Sequence, residues 1–249
     1  MLKLGSCLLS VVLLAVSASS PAAVVTDNFN DNSRSSQWTL VEDDPTKLWL
    51  AEANERLELC AASPTSSTTD ALYLSNGTGG FQVKTDSNFT ISIDYSFTSY
   101  SGTGLIGLDL GIGKDIDGND SAAVAYFRSN TLGDQALGAA YRVSDVQSTV
   151  FIGYVGTTGT LSIAYNSAID RLTLGDGNNS TNLDNLVKGQ WSADQVWVSF
   201  GGRGNGLTLA NGNAYLDNLV VTGDIVPEPA TLSLLALSLP LLKRRRTRL

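Results

Sequence analysis

The 249 residues carry 16 basic and 24 acidic side chains, 24 glycines, 2 cysteines and no histidine. A net charge of −8 disfavours nucleic acid and anionic membrane surfaces as partners. Without histidine the chain cannot build a Ser-His-Asp or Cys-His triad, histidine-ligated zinc or a histidine general base, which removes most hydrolase chemistry.

The N-terminus has the three-part layout of a secretory signal peptide. Lys3 precedes an apolar run over residues 8–16, and small residues including Ala18, Ala22 and Ala23 follow. Residues 1–23 are expected to pass through the Sec export machinery and to be removed, Cys7 with them. Cys60 is then the one thiol of the body. In ERLELCA it alternates with Leu57 and Leu59, which puts it on the more polar face of a strand as an inert, partly buried cysteine.

Residues 24–223 are enough for one sizeable domain, and nearly every segment of it reads as strand or turn. The clearest strand is FTISIDYSF. Its Phe89, Ile91, Ile93, Tyr95 and Phe97 share one face, while Thr90, Ser92, Asp94 and Ser96 share the other. WTLVE, KLWLAE, ERLELCA, ALYLS, LIGLDLGI, AAVAYF, ALGAAYRV, TVFIGYV, LSIAYN, DRLTLGD, QVWVSF and AYLDNLVV are further strands rich in β-branched and aromatic residues. Asn76-Gly77, Asp117-Gly118 and Asp176-Gly177 mark turns. A short helical turn is expected near residues 182–187, and GGRGNGLTLANGNA reads as a glycine-rich loop. About a dozen short strands imply an all-β, two-sheet antiparallel sandwich.

The opening DNFND, Trp38, ERLEL, the central FTISIDYSF and the closing NAYLDNLVV resemble the concanavalin-like or laminin-G-like jelly roll. Members of that fold that hydrolyse β-glucans place Glu, Asp and Glu at alternate positions on one strand. In FTISIDYSF only Asp94 is acidic, so the body is expected not to be an enzyme. The resemblance also implies a structural calcium where the terminal strands meet, which directs attention to Asp27 and Asp217, read either as its ligands or as plain turn and edge-strand polar residues. The loop KDIDGNDS offers a second set of hard oxygen donors, Asp115, Asp117, Asn119 and Asp120, read either as a calcium loop or as a plain hairpin turn. Among the aromatic residues, Trp197 alternates against Val196, Val198 and Phe200. If that trio faces the core, Trp197 points outward, either as a sugar-stacking platform or into a second packed layer.

The C-terminus is a second composite element. Val226, Pro227, Glu228 and Pro229 form a stiff extended spacer, because each proline restrains its own φ and the residue before it. Residues 230–242 are almost wholly apolar, and Lys243, Arg244, Arg245, Arg246 and Arg248 crowd the end. An apolar helix closed by cations is a membrane stop with the body outside and the basic end inside. Its length falls short of the roughly 20 residues a stable span needs. Residues 224–249 resemble the PEP-CTERM sorting signal of exopolysaccharide-producing Gram-negative bacteria. That resemblance implies recognition by exosortase, transient anchoring in the inner membrane and release to the cell surface or extracellular matrix. The expected function is therefore an exported surface or matrix protein whose sandwich binds glycan or extracellular polysaccharide. The alternatives are a purely structural or adhesive biofilm component, or a polysaccharide-degrading enzyme.

Overall fold

The computed structural model describes residues 23–62, 68–129 and 134–227. Residues 1–22 of the expected signal peptide, Glu228, Pro229, the apolar stretch and the basic cluster lie outside the described residues. Among those described, no helix is long and apolar enough to cross a membrane.

The strands in chain order are β1 (Ala23–Asp27), β2 (Thr39–Glu42), β3 (Leu48–Ala53), β4 (Arg56–Ala61), β5 (Thr69–Leu74) and β6 (Phe81–Lys84). There follow β7 (Phe89–Phe97), β8 (Ser101–Gly113), β9 (Ser121–Ser129), β10 (Asp134–Val143), β11 (Val146–Tyr154) and β12 (Thr158–Asn166). The last are β13 (Arg171–Gly175), β14 (Ser180–Asp184), β15 (Gln195–Thr208), β16 (Ala214–Gly223) and β17 (Ile225–Pro227). They form an eight-stranded sheet in the order β14-β13-β12-β7-β16-β4-β3, with β1 beside β16. A nine-stranded sheet runs β11-β10-β9-β8-β15-β5-β2, with β6 on β15 and β17 on β6. Every pairing is antiparallel, and the two sheets make the expected sandwich.

The period-two pattern decides which side chains meet between the sheets. Ile91, Ile93, Tyr95 and Phe97 of β7 are buried against Ile106, Leu108, Leu110 and Ile112 of β8 and Val196, Val198 and Phe200 of β15. Phe200 is the aromatic hub. Its ring lies 4.8 Å from Trp38 at 86°, 5.6 Å from Tyr73 and 5.9 Å from Phe29. Such edge-on contacts contribute beyond area burial, by about 0.5–1.5 kcal/mol each. The buried Trp38 indole N–H donates to Asp27 Oδ2 at 2.6 Å, which fastens β1 to this cluster.

Three local readings are corrected. GGRGNG is not a loop, since β15 runs through to Thr208 and its glycines sit in paired strand. The helical turn lies at Leu186–Gln190, while Ser180–Asp184 is strand β14. Cys60 alternates as expected but is fully buried, with Trp49 of β3 as its cross-strand partner. Burial, then the nearby Glu58 carboxylate, push its thiol up to about 11, which leaves it unreactive. The strands missing from the sequence reading, β6, β14 and β17, are short, and each has 3 to 5 residues.

One core-facing carboxyl breaks the apolar pattern. Glu52 follows Leu48 and Leu50 on the inner face of β3, with both oxygens shut off from solvent and the Tyr73 hydroxyl as their polar neighbour. Burial pushes its pKa up to about 7; the Tyr73 hydroxyl and Arg34 oppose the rise, while Asp27 and Asp31 add to it. A carboxyl raised in the folded state contributes stability that is complete below its unfolded value, near 4.5, and is lost as pH rises through about 7. Chemical denaturation is therefore expected to show the body losing stability across this window, and Glu52→Gln to flatten that dependence. An unchanged pH profile in the variant would refute the assignment.

Candidate functional site

The site follows from the outward-facing half of the same alternation. On the nine-stranded sheet the residues turned away from the core are Trp197, Ser199, Gly201 and Arg203 of β15 and Gly107, Asp109, Gly111 and Gly113 of β8. The β8–β15 register sets Trp197 opposite Gly113, Ser199 opposite Gly111 and Arg203 opposite Gly107. Across β9 and β10 the line from Ser199 and Gly111 continues through Ala123 and Ala140. Residues this small leave a trough of about 300 Å³ that runs from strand to strand. A methyl group on Gly111 would come within 2.7 Å of Ser199 Oγ, so a side chain there would push Ser199 aside and fill the floor.

Trp197, Arg142, Gln147 and the 115–118 turn wall the trough on one side, and Asp70, Arg203 and Leu72 on the other. Val196, Val198 and Phe200 do face the core, so Trp197 is left half-buried with its indole on the trough. Arg203 lies between two carboxylates. Its Nε donates to Asp109 Oδ2 at 2.6 Å and stands 3.6 Å from Asp70 Oδ1, so those two oxygens are at most about 6.2 Å apart. Asp109 is almost wholly buried, and its Oδ1 has no partner among the described residues. Burial also holds the Asp70 carboxyl above the usual range, against the opposing charge of Arg203. The Asp109 charge, opposed by burial and reinforced by the Asp70 charge, holds Arg203 well above its ordinary value, so it stays cationic throughout.

The calcium candidates are not brought together. Asp27 points to the core side, where Oδ1 accepts from the Phe29 N–H at 3.0 Å and Oδ2 from Trp38. Asp217 lies opposite Asp94 on the outer face of the eight-stranded sheet and accepts from the Asn218 N–H at 2.7 Å. In the 114–120 turn, Asp115 accepts from the Asn119 N–H at 3.1 Å and Asp120 from the Ser144 N–H at 2.7 Å. Asp117 lines the trough. Among the described residues no three acidic or sulfur side chains converge as a metal site. Asp94 accepts from the Thr160 hydroxyl and the Asn218 amide, on the opposite sheet from the trough. Val226 and Pro227 pair with Gln82 and Phe81, so strand structure continues beyond Gly223 into the motif.

Arg203, Asp109, Asp70 and Arg142 were not singled out from sequence. Asp109 inside LIGLDLGI was the available signal, as a lone acid in an otherwise apolar strand.

No protein-family model and no curated protein sequence matches the chain. Solved structures do. A non-specific endo-β-1,3(4)-glucanase of glycoside hydrolase family 16 aligns with a TM-score of 0.59 at 12% identity, over 83% of this chain and 92% of that one. The CBM2 module of the evolved Dit of Lactobacillus casei BL23 phage J-1 gives 0.57 at 11%, over 82% and 97%. A lectin from Bauhinia forficata, solved with GalNAc, gives 0.53 at 12%, over 83% and 99%. At these identities the likeness is one of fold. It overturns the expectation that the body is not an enzyme, because this sandwich also houses glucan hydrolases. That expectation rested on the acids of one strand, FTISIDYSF, whereas the two carboxyls that glycoside hydrolysis needs can come from different strands.

Replacing Arg203 by Ala leaves Asp109 buried and unpaired. Chemical denaturation is expected to show a loss of about 3 kcal/mol, the low end for a broken buried pair because Arg203 keeps 32% of its side chain exposed. Pairing it with Asp109→Ala is expected to recover much of that loss. A neutral Arg203→Ala would mean that solvent already screens the pair.

Proposed function

We propose that the body is a carbohydrate-recognition sandwich whose glycan lies in the trough of the nine-stranded sheet. The observation that carries this reading is Trp197, held with its indole against a small-residue floor and polar hydrogen-bonding groups along both walls. A flat ring offers an apolar surface to a sugar face while flanking polar side chains meet its hydroxyls, the usual division of labour in a ligand groove. Glycan-array screening of the body, followed by calorimetry, is expected to find a saccharide ligand. Trp197→Ala is expected to weaken it by about tenfold or more. Absence of any saccharide ligand would sink the reading.

A second reading, glycoside hydrolysis, is favoured by the Asp70–Asp109 pair. Their separation is compatible with the roughly 5–5.5 Å of a retaining pair, and the raised Asp70 carboxyl suits a proton donor. Arg203 lies between the two acids, so a sugar reaches both only if that side chain swings aside. Reducing-sugar assays on β-glucans test this reading. Product that disappears in Asp70→Asn supports it, and no product from the native body dismisses it.

Export and sorting form a separate part of the proposal, supported by the residues at the two ends alone. In this reading exosortase acts on the tail once Sec has exported the body, and mass spectrometry of the exported protein is expected to show loss of the segment beyond Pro229. Recovery of intact Leu249 would overturn it.

A further inference from the structure

The trough does not stop at the pocket around Trp197. Its floor crosses β15, β8, β9 and β10 and reaches Thr149 on β11, an edge strand. Four strand spacings of about 4.8 Å make this about 19 Å of open surface. Three aromatic residues stand on the same outer face, toward the Arg203 side of the trough: Phe127 on β9, in the row of Arg203 and Gly107, and Phe151 and Tyr154 on β11. Phe127 lies across two glycines, since a methyl group on Gly107 or Gly138 would come within 3.1 or 3.3 Å of its ring. Phe151 is paired with Gly138 and Tyr154 with Ala136, the neighbour of Phe127 across the strands. Phe151 and Tyr154 are 62% and 67% exposed, with ring centroids 5.2 Å apart. Exposing two large rings side by side is costly unless something covers them.

The charges on this face narrow what that is. Arg203 is engaged by Asp109 and Asp70, and Arg142 by Gln147 and Asp145. Asp115 and Asp117 add negative charge at the rim, on a chain of net charge −8. Uronic or sulfated polymers would be repelled.

We infer that the ligand is an extended, uncharged polysaccharide lying across the strands, with one stretch on Trp197 and a later stretch on the Phe127, Phe151 and Tyr154 platform. This rests on the proposed glycan trough and specifies its ligand. An uncharged chain meets no repulsion, and a trough open at the β11 edge accepts the interior of a long polymer.

The test is calorimetry of the body with uncharged polysaccharides (β-glucan, xylan, mannan, galactan), with a trisaccharide of whichever binds, and with polygalacturonate. The polymer is expected to bind at least about tenfold more tightly than its trisaccharide and than polygalacturonate. The double variant Phe151→Ala/Tyr154→Ala is expected to lose about tenfold for the polymer and nothing for the trisaccharide, with an unchanged thermal midpoint. Equal polymer binding by both proteins, or preference for polygalacturonate, overturns this inference and leaves the trough reading standing. So does a native dimer that the double variant dissolves, since the rings would then be covered by a second copy. No binding to any saccharide removes both.

Discussion

Everything at the trough depends on the register between β8 and β15. The two strands are paired from Trp197 opposite Gly113 to Thr208 opposite Ser101, with one irregularity between Asn205 and Leu207. Side chains alternate strictly, so a slip of one residue would turn one strand over: a slipped β8 would send Asp109 into the core and Leu108 and Leu110 into water, a slipped β15 Arg203 inward and Phe200 outward. The Phe200 cluster with Trp38, Tyr73 and Phe29 penalises that slip from inside the sandwich. The glycines opposite Trp197, Ser199 and Arg203 penalise it from outside. The same contacts that hold the two sheets together thereby aim Trp197 and Arg203 at the surface.

The outward face departs from an ordinary polar sheet surface in two ways. Its floor residues are too small to fill the space above them, and its central acid is buried. Asp109 is tolerated there because Arg203 neutralises it at 2.6 Å, and Asp70 shares the same cation from the next strand. Buried ion pairs are poor sources of stability but good sources of geometry, since removing one partner leaves an uncompensated charge. The triad therefore fixes one wall of the trough, whether the glycan is only held there or also cleaved.

Individual elements differ in how far they could be read in advance. FTISIDYSF could be assigned as a strand because the apolar members of its nine residues all occupy one parity, and β7 spans those same residues. GGRGNGLT could not, because glycine carries no facial preference and its strand is specified by the partners β8 and β5 on either side. Cys60 falls on the expected face, but its full burial is not written in the alternation of β4, which fixes the face and not what packs over it. The jelly-roll resemblance implies a calcium at Asp27 and Asp217, where the terminal strands meet. Those strands do pair, yet the two carboxylates emerge on opposite sides of the sheet.

Composition and periodicity alone were sufficient for the all-β class, for most of the strands, for the absence of histidine chemistry and for the outward aim of Trp197 once its neighbours were taken as core. These are local properties, because alternation is written residue by residue along one strand. The trough, the Asp70–Arg203–Asp109 triad and the aromatic platform on β9 and β11 needed the fold, because each joins side chains from strands far apart in the chain. Register between such strands is set by packing across the whole sandwich, and no single segment encodes it.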